Sequence, residues 1–239
     1  MVRLVVMAAG QAKRMGSDKL ALPWKDSTVL ASVVKEVLEA SERLQDRGAG
    51  HGRRLELKVV ARKPLVVYLP VALQERFQRA QGIWCEDEVP RPLAETIRIG
   101  LQELADEVEG IGFLPGDQVG LRSDTLLCLV ETFLREKPDF LVPQVDSLAP
   151  PKLESPDESA LPDEPGMTGV TGSPVIFHRR YVPELLALEG EQGGKTVLQR
   201  YKAKWATYPV ETDFFADVDT PEQYSLLSGH DLGSGEASL

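Results

Sequence analysis

The sequence predicts an α/β protein in three layers, a mostly parallel sheet with helices on both faces. Short apolar runs at 4–9, 57–61, 111–114 and 140–142 alternate with longer stretches whose apolar residues repeat at helical spacing. Glycine follows the first run directly, the punctuation of a βα turn. The length of 239 residues suits one such domain with an excursion. A chain of that size buries roughly 70–75% of its extended surface and needs no disulfide or metal staple.

Leu4–Ala9 reads as the first strand, ending at Gly10. Asp26 or Ser27 is placed to cap the next helix, whose stripe is Val29, Leu30, Val33, Val34, Val37 and Leu38. Residues 46–54, rich in Gly, Arg and His, form a loop before the second strand, Leu57–Ala61. The apolar stretch 64–69 fits a strand or a loop equally. A helix over Val71–Ala80 and a short strand at Ile83–Cys85 follow. Pro92 suits the first turn of a helix reaching about Leu104. Ile111–Leu114 is a buried strand that feeds Pro115-Gly116-Asp117, Ser123 is a cap for the helix Asp124–Arg135, and Phe140–Val142 is a further strand. Between Asp146 and Met167 stand five prolines and six acids, so 146–168 is an exposed, mobile excursion. A glycine turn precedes a helix over Thr196–Tyr201. Residues 1–227 thus form one domain and 228–239 a flexible tail.

The formal net charge of −10 argues against a nucleic-acid partner, which would need a cationic surface. It leaves room for a small anionic ligand at a locally positive site. Cys85 and Cys128 lack metal-ligand spacing, and the three histidines are scattered. Neither a signal segment nor a membrane span is visible, which makes the cytoplasm the expected compartment.

The loop after the first strand carries the most chemistry. It reads Ala8-Ala9-Gly10, then Lys13-Arg14-Met15-Gly16 and Lys19. Glycines let the backbone approach an anion, exposed amides point at it, and Arg and Lys neutralise it. Five residues separate Gly10 from Gly16, and Lys19 comes two residues too late for a Walker loop. Ala12 excludes the dinucleotide fingerprint.

This block resembles the opening motif of nucleotidyltransferases with a GT-A-like fold, and is most similar to their molybdenum cofactor cytidylyltransferase branch. The resemblance continues at Leu20-Ala21-Leu22-Pro23-Trp24, Gly116-Asp117, Gly172-Ser173-Pro174, Leu188–Lys195 and Asp217–Glu222, in family order across residues 4–224. It implies a GT-A-like nucleotidyltransferase fold and a Mg²⁺-dependent transfer of CMP from CTP to molybdopterin, with pyrophosphate released and a molybdenum hydroxylase as eventual partner. Two other readings stay open: another nucleotide donor (GTP) or phosphate acceptor (a sugar or alcohol phosphate), or a non-catalytic maturation partner.

On that resemblance, Arg14, Lys19 and Asp117 are the catalytic candidates. Arg14 grips phosphate oxygens through its planar fork and Lys19 acts as a mobile point charge. Asp117 follows a buried strand at the carboxyl end of the sheet, where open α/β folds put ligands, and is the leading metal ligand. Asp219 is the second. Alternation in a strand would set Asp217 and Asp219 on one face, while a competing reading makes Asp219 or Thr220 the cap of a helix beginning at Pro221. Substrate-binding candidates are Ala8, Ala9, Gly10, Gly16, Thr96, Gly116, Ser173, Pro174, Glu191 and Lys195. The chain departs from the family pattern at Gln118-Val119 (usually Met-Pro), Pro92 (Gly), Ser173 (His), Glu191 (Asp) and Lys195 (Arg). Most of these departures fall on the acceptor side, which implies retained nucleotide binding with altered acceptor specificity.

Overall fold

A computed structural model describes residues 1–10, 18–47, 53–89, 91–146 and 169–229. In chain order the elements are β1 (Val2–Ala8), β2 (Pro23–Trp24), β3 (Ser27–Thr28), α1 (Val29–Arg47), β4 (Leu55–Ala61), α2 (Leu65–Tyr68), α3 (Val71–Arg79), β5 (Ile83–Glu86) and α4 (Leu93–Leu101). They continue with β6 (Gly110–Pro115), α5 (Ser123–Glu136), β7 (Phe140–Asp146), β8 (Gly169–Thr171), β9 (Val175–His178), α6 (Val182–Leu186), α7 (Gly194–Arg200), β10 (Trp205–Pro209) and α8 (Pro221–Ser228). The main sheet runs β10-β7-β9-β6-β1-β4-β5, with β8 paired to β7, and β2–β3 form a separate hairpin.

β1 pairs in parallel with β4 and β6, β4 with β5, and β7 with β10. β9 is antiparallel to both β6 and β7, and β8 to β7. The mostly parallel sheet expected from the sequence is therefore present, with two reversed strands the apolar pattern did not distinguish. Pleating sends alternate β1 residues to opposite faces. Val2, Leu4 and Val6 meet α1 and α5 in one core, and Val5 meets α4, α6 and α7 in the other. These are the three layers. Among the described residues no helix is long and apolar enough to cross a membrane.

Tertiary contact corrects several local expectations. The stretch 64–69 is neither strand nor loop but holds the short helix α2. α1 is capped by neither Asp26 nor Ser27. Thr28 Oγ1 accepts from the Ala31 amide at 3.1 Å and donates to the Tyr68 carbonyl. Ser123 does not cap α5. Its amide donates to Glu36 Oε2 at 2.6 Å, so α1 supplies the anion for that helix start. Pro92 is the residue before α4 rather than within it, and α4 ends at Leu101. Residues 217–219 are not a strand. The excursion begins where β7 ends, and 147–168 and 230–239 lie outside the described residues.

One buried cluster fixes the lower end of α4. Arg3 is 1% exposed, yet its guanidinium pairs with Glu56 at 2.6 Å and donates to the carbonyls of Gly100, Gln102 and Glu103. Lys58 Nζ adds a bond to Gln102 O at 3.0 Å. The last carbonyls of a helix have no partner within it, and two cations supply one here. Removing one member of a buried ion pair leaves the other charge uncompensated. Arg3→Ala should therefore cost about 3–5 kcal/mol of unfolding free energy, read from the shift in the urea midpoint.

Candidate active site

Lys19, Asp117 and Asp219 come together at the carboxyl edge of the sheet, although Lys19 and Asp219 are 200 residues apart. Lys19 Nζ pairs with Asp117 Oδ2 and lies 2.6 Å from Asp219 Oδ1. Local structure explains each position. Lys19 opens a single 3₁₀ turn, Lys19–Ala21, whose Leu20 is buried in the core. Just before it, the Asp18 carboxylate accepts from Tyr68 Oη at 3.0 Å and pairs with Lys63 Nζ at 2.8 Å. The start of the turn is thus tied to α2.

Asp117 leaves β6 through a turn that Gly116 makes possible. A Cβ at 116 would meet Leu30 Cδ1 at 3.2 Å and Ala8 Cβ and Met7 O at 3.3 Å, a tight fit in which these neighbours would have to give slightly. The Gly116 amide in fact donates to Met7 O at 3.1 Å. The Asp117 carbonyl accepts from the amides of Val119 and Val218. Asp219 sits one residue before Thr220, the N-cap of α8. A reciprocal capping box joins Thr220 and Gln223, and the Asp219 amide donates to Gln223 Oε1 at 2.9 Å. The cap thus uses Thr220 and leaves the Asp219 carboxylate for Lys19. Farther along α8, Tyr224 Oη donates to Pro23 O at 2.6 Å and its ring lies against Trp24. That contact fastens the end of the chain to the hairpin after Lys19.

The electrostatics follow from one ammonium serving two carboxylates in a mostly buried site. Burial pushes the Asp117 carboxyl above its ordinary value, and Lys19 only partly offsets this. Burial works against the Lys19 charge too, but Asp117 and Asp219 outweigh it and raise the ammonium. The two shifts have different causes, burial for Asp117 and the paired carboxylates for Lys19, but both hold protons on a trio with one more negative charge than positive. Two hard oxygen donors of this kind suit Mg²⁺ or Mn²⁺, which take one or two carboxylates and complete their shell with phosphate and water. Among the described residues no third acid or histidine joins them.

The other candidates divide. Ala8, Ala9, Gly116 and Pro174 are buried, so Ala8 and Ala9 offer a ligand only their backbone. Gly10 is exposed, with open space where a Cβ would be. Thr96 is 4% exposed within α4. Glu191 and Lys195 belong to the glycine turn before α7 and to its start. That turn docks on α4 through the Ala94 amide and Gly190 O at 3.1 Å, which brings it beside the Thr96 segment. Lys13, Arg14 and Gly16 lie outside the described residues.

Two residues were missed. Gln118 is 2% exposed, and its Nε2 donates to Ser173 O and to Phe214 O, both at 2.9 Å. It therefore binds the Gly172-Ser173-Pro174 loop and the 211–216 segment to the Asp117 turn. The missing proline after Asp117 is replaced by a tertiary staple. Its only sequence signal was the departure itself. Arg62 follows β4 at the same edge, with its Nε buried and unpartnered. A cation directly after a buried strand was the available signal.

A sheet of this order, with these residues gathered at its carboxyl edge, defines an open, mostly parallel α/β protein. The chain belongs to the MobA-like NTP transferase family, since residues 4–205 match the model of the MobA-like NTP transferase domain. No curated protein matches the chain. Among solved structures it is similar to Rv0371c from Mycobacterium tuberculosis H37Rv, at 23% identity over 96% of this chain and 97% of that one, TM-score 0.61. Rv0371c has also been solved in complex with manganese, at 22% identity over 95% and 98%, TM-score 0.58. A nucleotidyl transferase from Methanothermobacter thermautotroptrophicus, Mth528, matches at 18% identity over 96% and 97%, TM-score 0.61. A CMP:2-keto-3-deoxy-manno-octonic acid synthetase complexed with CTP matches at 13% over 95% and 97%, TM-score 0.62. At these identities the likeness is one of fold.

Gln118→Leu should leave two buried carbonyls without their donor. It should cost about 1–3 kcal/mol by denaturant titration.

Proposed function

We propose that this protein is a Mg²⁺-dependent cytidylyltransferase that transfers CMP from CTP to the terminal phosphate of a molybdopterin-type acceptor and releases pyrophosphate. The observation that carries this reading is the convergence of Lys19, Asp117 and Asp219 at the carboxyl edge. On this reading the cation would meet the triphosphate and the carboxylates its metal. The solved Rv0371c–manganese complex and the CTP complex of the octonic acid synthetase support metal and donor by analogy of fold.

In this mechanism the β1 loop holds the triphosphate with its amides, and Arg14 and Lys19 spread its charge. Asp117 and Asp219 would hold a magnesium ion, which would supply positive charge to the phosphates. Ala9 and Gly10 offer backbone groups to the base, and Thr96 belongs to the segment that supports the nucleotide. An acceptor phosphate oxygen then forms a bond to the α-phosphorus as the bond to pyrophosphate breaks in line, with no covalent enzyme intermediate. Ser173, Pro174, Glu191 and Lys195 line the acceptor approach. Residues 1–227 act as one domain. The protein works in the cytoplasm and hands its product to a molybdenum hydroxylase.

A second reading keeps the donor half and changes the acceptor. It is favoured by the Gln118 side-chain amide donating to the Ser173 carbonyl, at positions where relatives carry Met-Pro and His. A thermal-shift screen over four nucleoside triphosphates with Mg²⁺ tests the donor. A ligand at a hundred times its Kd stabilises by about 2.7 kcal/mol, and CTP should give the largest shift. Pyrophosphate release with molybdopterin against sugar and alcohol phosphates tests the acceptor. Asp117→Ala should abolish that release. Lys19→Ala should lower it more than tenfold, the loss of a charge-assisted bond of about 1.5–3 kcal/mol. An Asp117→Ala protein with full turnover would remove the metal assignment.

A further inference from the structure

Lys19 stands in the space between the two proposed metal ligands. Its Nζ touches Asp117 Oδ2 and lies 2.6 Å from Asp219 Oδ1. A magnesium held by the same two oxygens, Asp117 Oδ2 and Asp219 Oδ1, at about 2.0–2.1 Å would have to take the place the ammonium now fills. Like charges also repel there. One of the parties must therefore give way.

The main chain beneath both carboxylates is pinned, and an Asp side chain is short. The Asp117 carbonyl takes two backbone amides, from Val119 and Val218. Asp219 is held by Gln223 and by the start of α8. The lysine has a flexible four-carbon stem and is the group able to move. It then needs another anion. The nearby Asp18 carboxylate is already bound to Tyr68 and Lys63. A triphosphate in the β1 loop would supply the missing anion.

We propose that the protein takes up its divalent cation only together with a nucleoside triphosphate. Lys19 is a tethered place-holder: it satisfies Asp117 and Asp219 until the nucleotide arrives, then passes them to the metal and moves to the phosphates. The inference rests on Asp117 and Asp219 being the metal ligands. It makes Lys19 an obstacle to free metal as well as an aid to bound nucleotide.

The test is binding of Mn²⁺ alone to the full chain without nucleotide, followed by the electron paramagnetic resonance signal of free Mn²⁺. Wild type should bind weakly. Lys19→Met should bind about tenfold more tightly or better, because a unit charge has left the metal's place. Lys19→Arg, which keeps the charge, should stay near wild type. The gain should vanish in Lys19→Met/Asp117→Asn. Mn²⁺ should also raise the melting temperature of Lys19→Met more than that of wild type. If Lys19→Met is insoluble, Lys19→Gln carries the same expectation. Equal affinity in wild type and Lys19→Met overturns the place-holder and leaves the metal ligands standing. Absence of Mn²⁺ binding in every form, with CTP present or absent, overturns the ligand assignment and the place-holder together.

Discussion

A single ammonium joins three distant parts of this chain. Lys19 comes from the turn after the β1 loop, Asp117 from the end of β6, and Asp219 from the residue before α8. Two anions and one cation in a mostly buried site are an unbalanced set. Burial alone would make such a set costly, because each charge loses water. It is tolerable because each member is held by a support of its own. Leu20 within the lysine turn and Trp24 just after it are buried, and Tyr224 bonds the α8 segment to Pro23. The backbone of the Asp117 turn is bound to β1 at Met7 and to Val218. The site is thus assembled by apolar packing and main-chain bonds, and the charges inherit their positions.

The direction of the strands explains why these residues meet. β1, β4, β5, β6, β7 and β10 all run the same way, so their exits share one edge. Lys19, Asp117 and Arg62 all follow strand ends there. β9 runs the other way between β6 and β7. A reversed strand presents its beginning, not its end, to that edge. This is how Gly172-Ser173-Pro174, which precedes β9, comes within reach of Gln118. A wholly parallel sheet would have put that loop at the opposite edge.

This geometry also marks what the residues could disclose in advance. Buried strands and the α1 stripe were legible, because burial on both faces or on one face leaves a periodic record. The joining of Lys19, Asp117 and Asp219 was foreshadowed because the resemblance named all three, although nothing local to any of them indicates that they touch. Capping was read less well. Thr28 and not Ser27 caps α1, and Glu36 and not Ser123 serves α5. Those choices depend on which helix lies beside which. Likewise 64–69 lacks a helical stripe long enough to read, and folds as α2 against α3 and the lysine turn. No strand was expected over 169–178, since β8 and β9 are short and Val170 is exposed, and their reversed sense has no signature in apolar runs.

Gln118 bears on what the departures from the family pattern mean. Drift at an abandoned site would be expected to leave buried polar groups without partners, since nothing would maintain them. Here a nearly inaccessible amide donates to two carbonyls from separate segments. Buried networks of this kind are costly when half made and specifying when complete. A rigid local turn has been exchanged for a contact that spans β6, the loop before β9 and the segment before α8. The change therefore reshapes the wall beside Asp117 while Lys19, Asp117 and Asp219 keep their mutual contacts. That combination fits a change of acceptor better than a loss of chemistry.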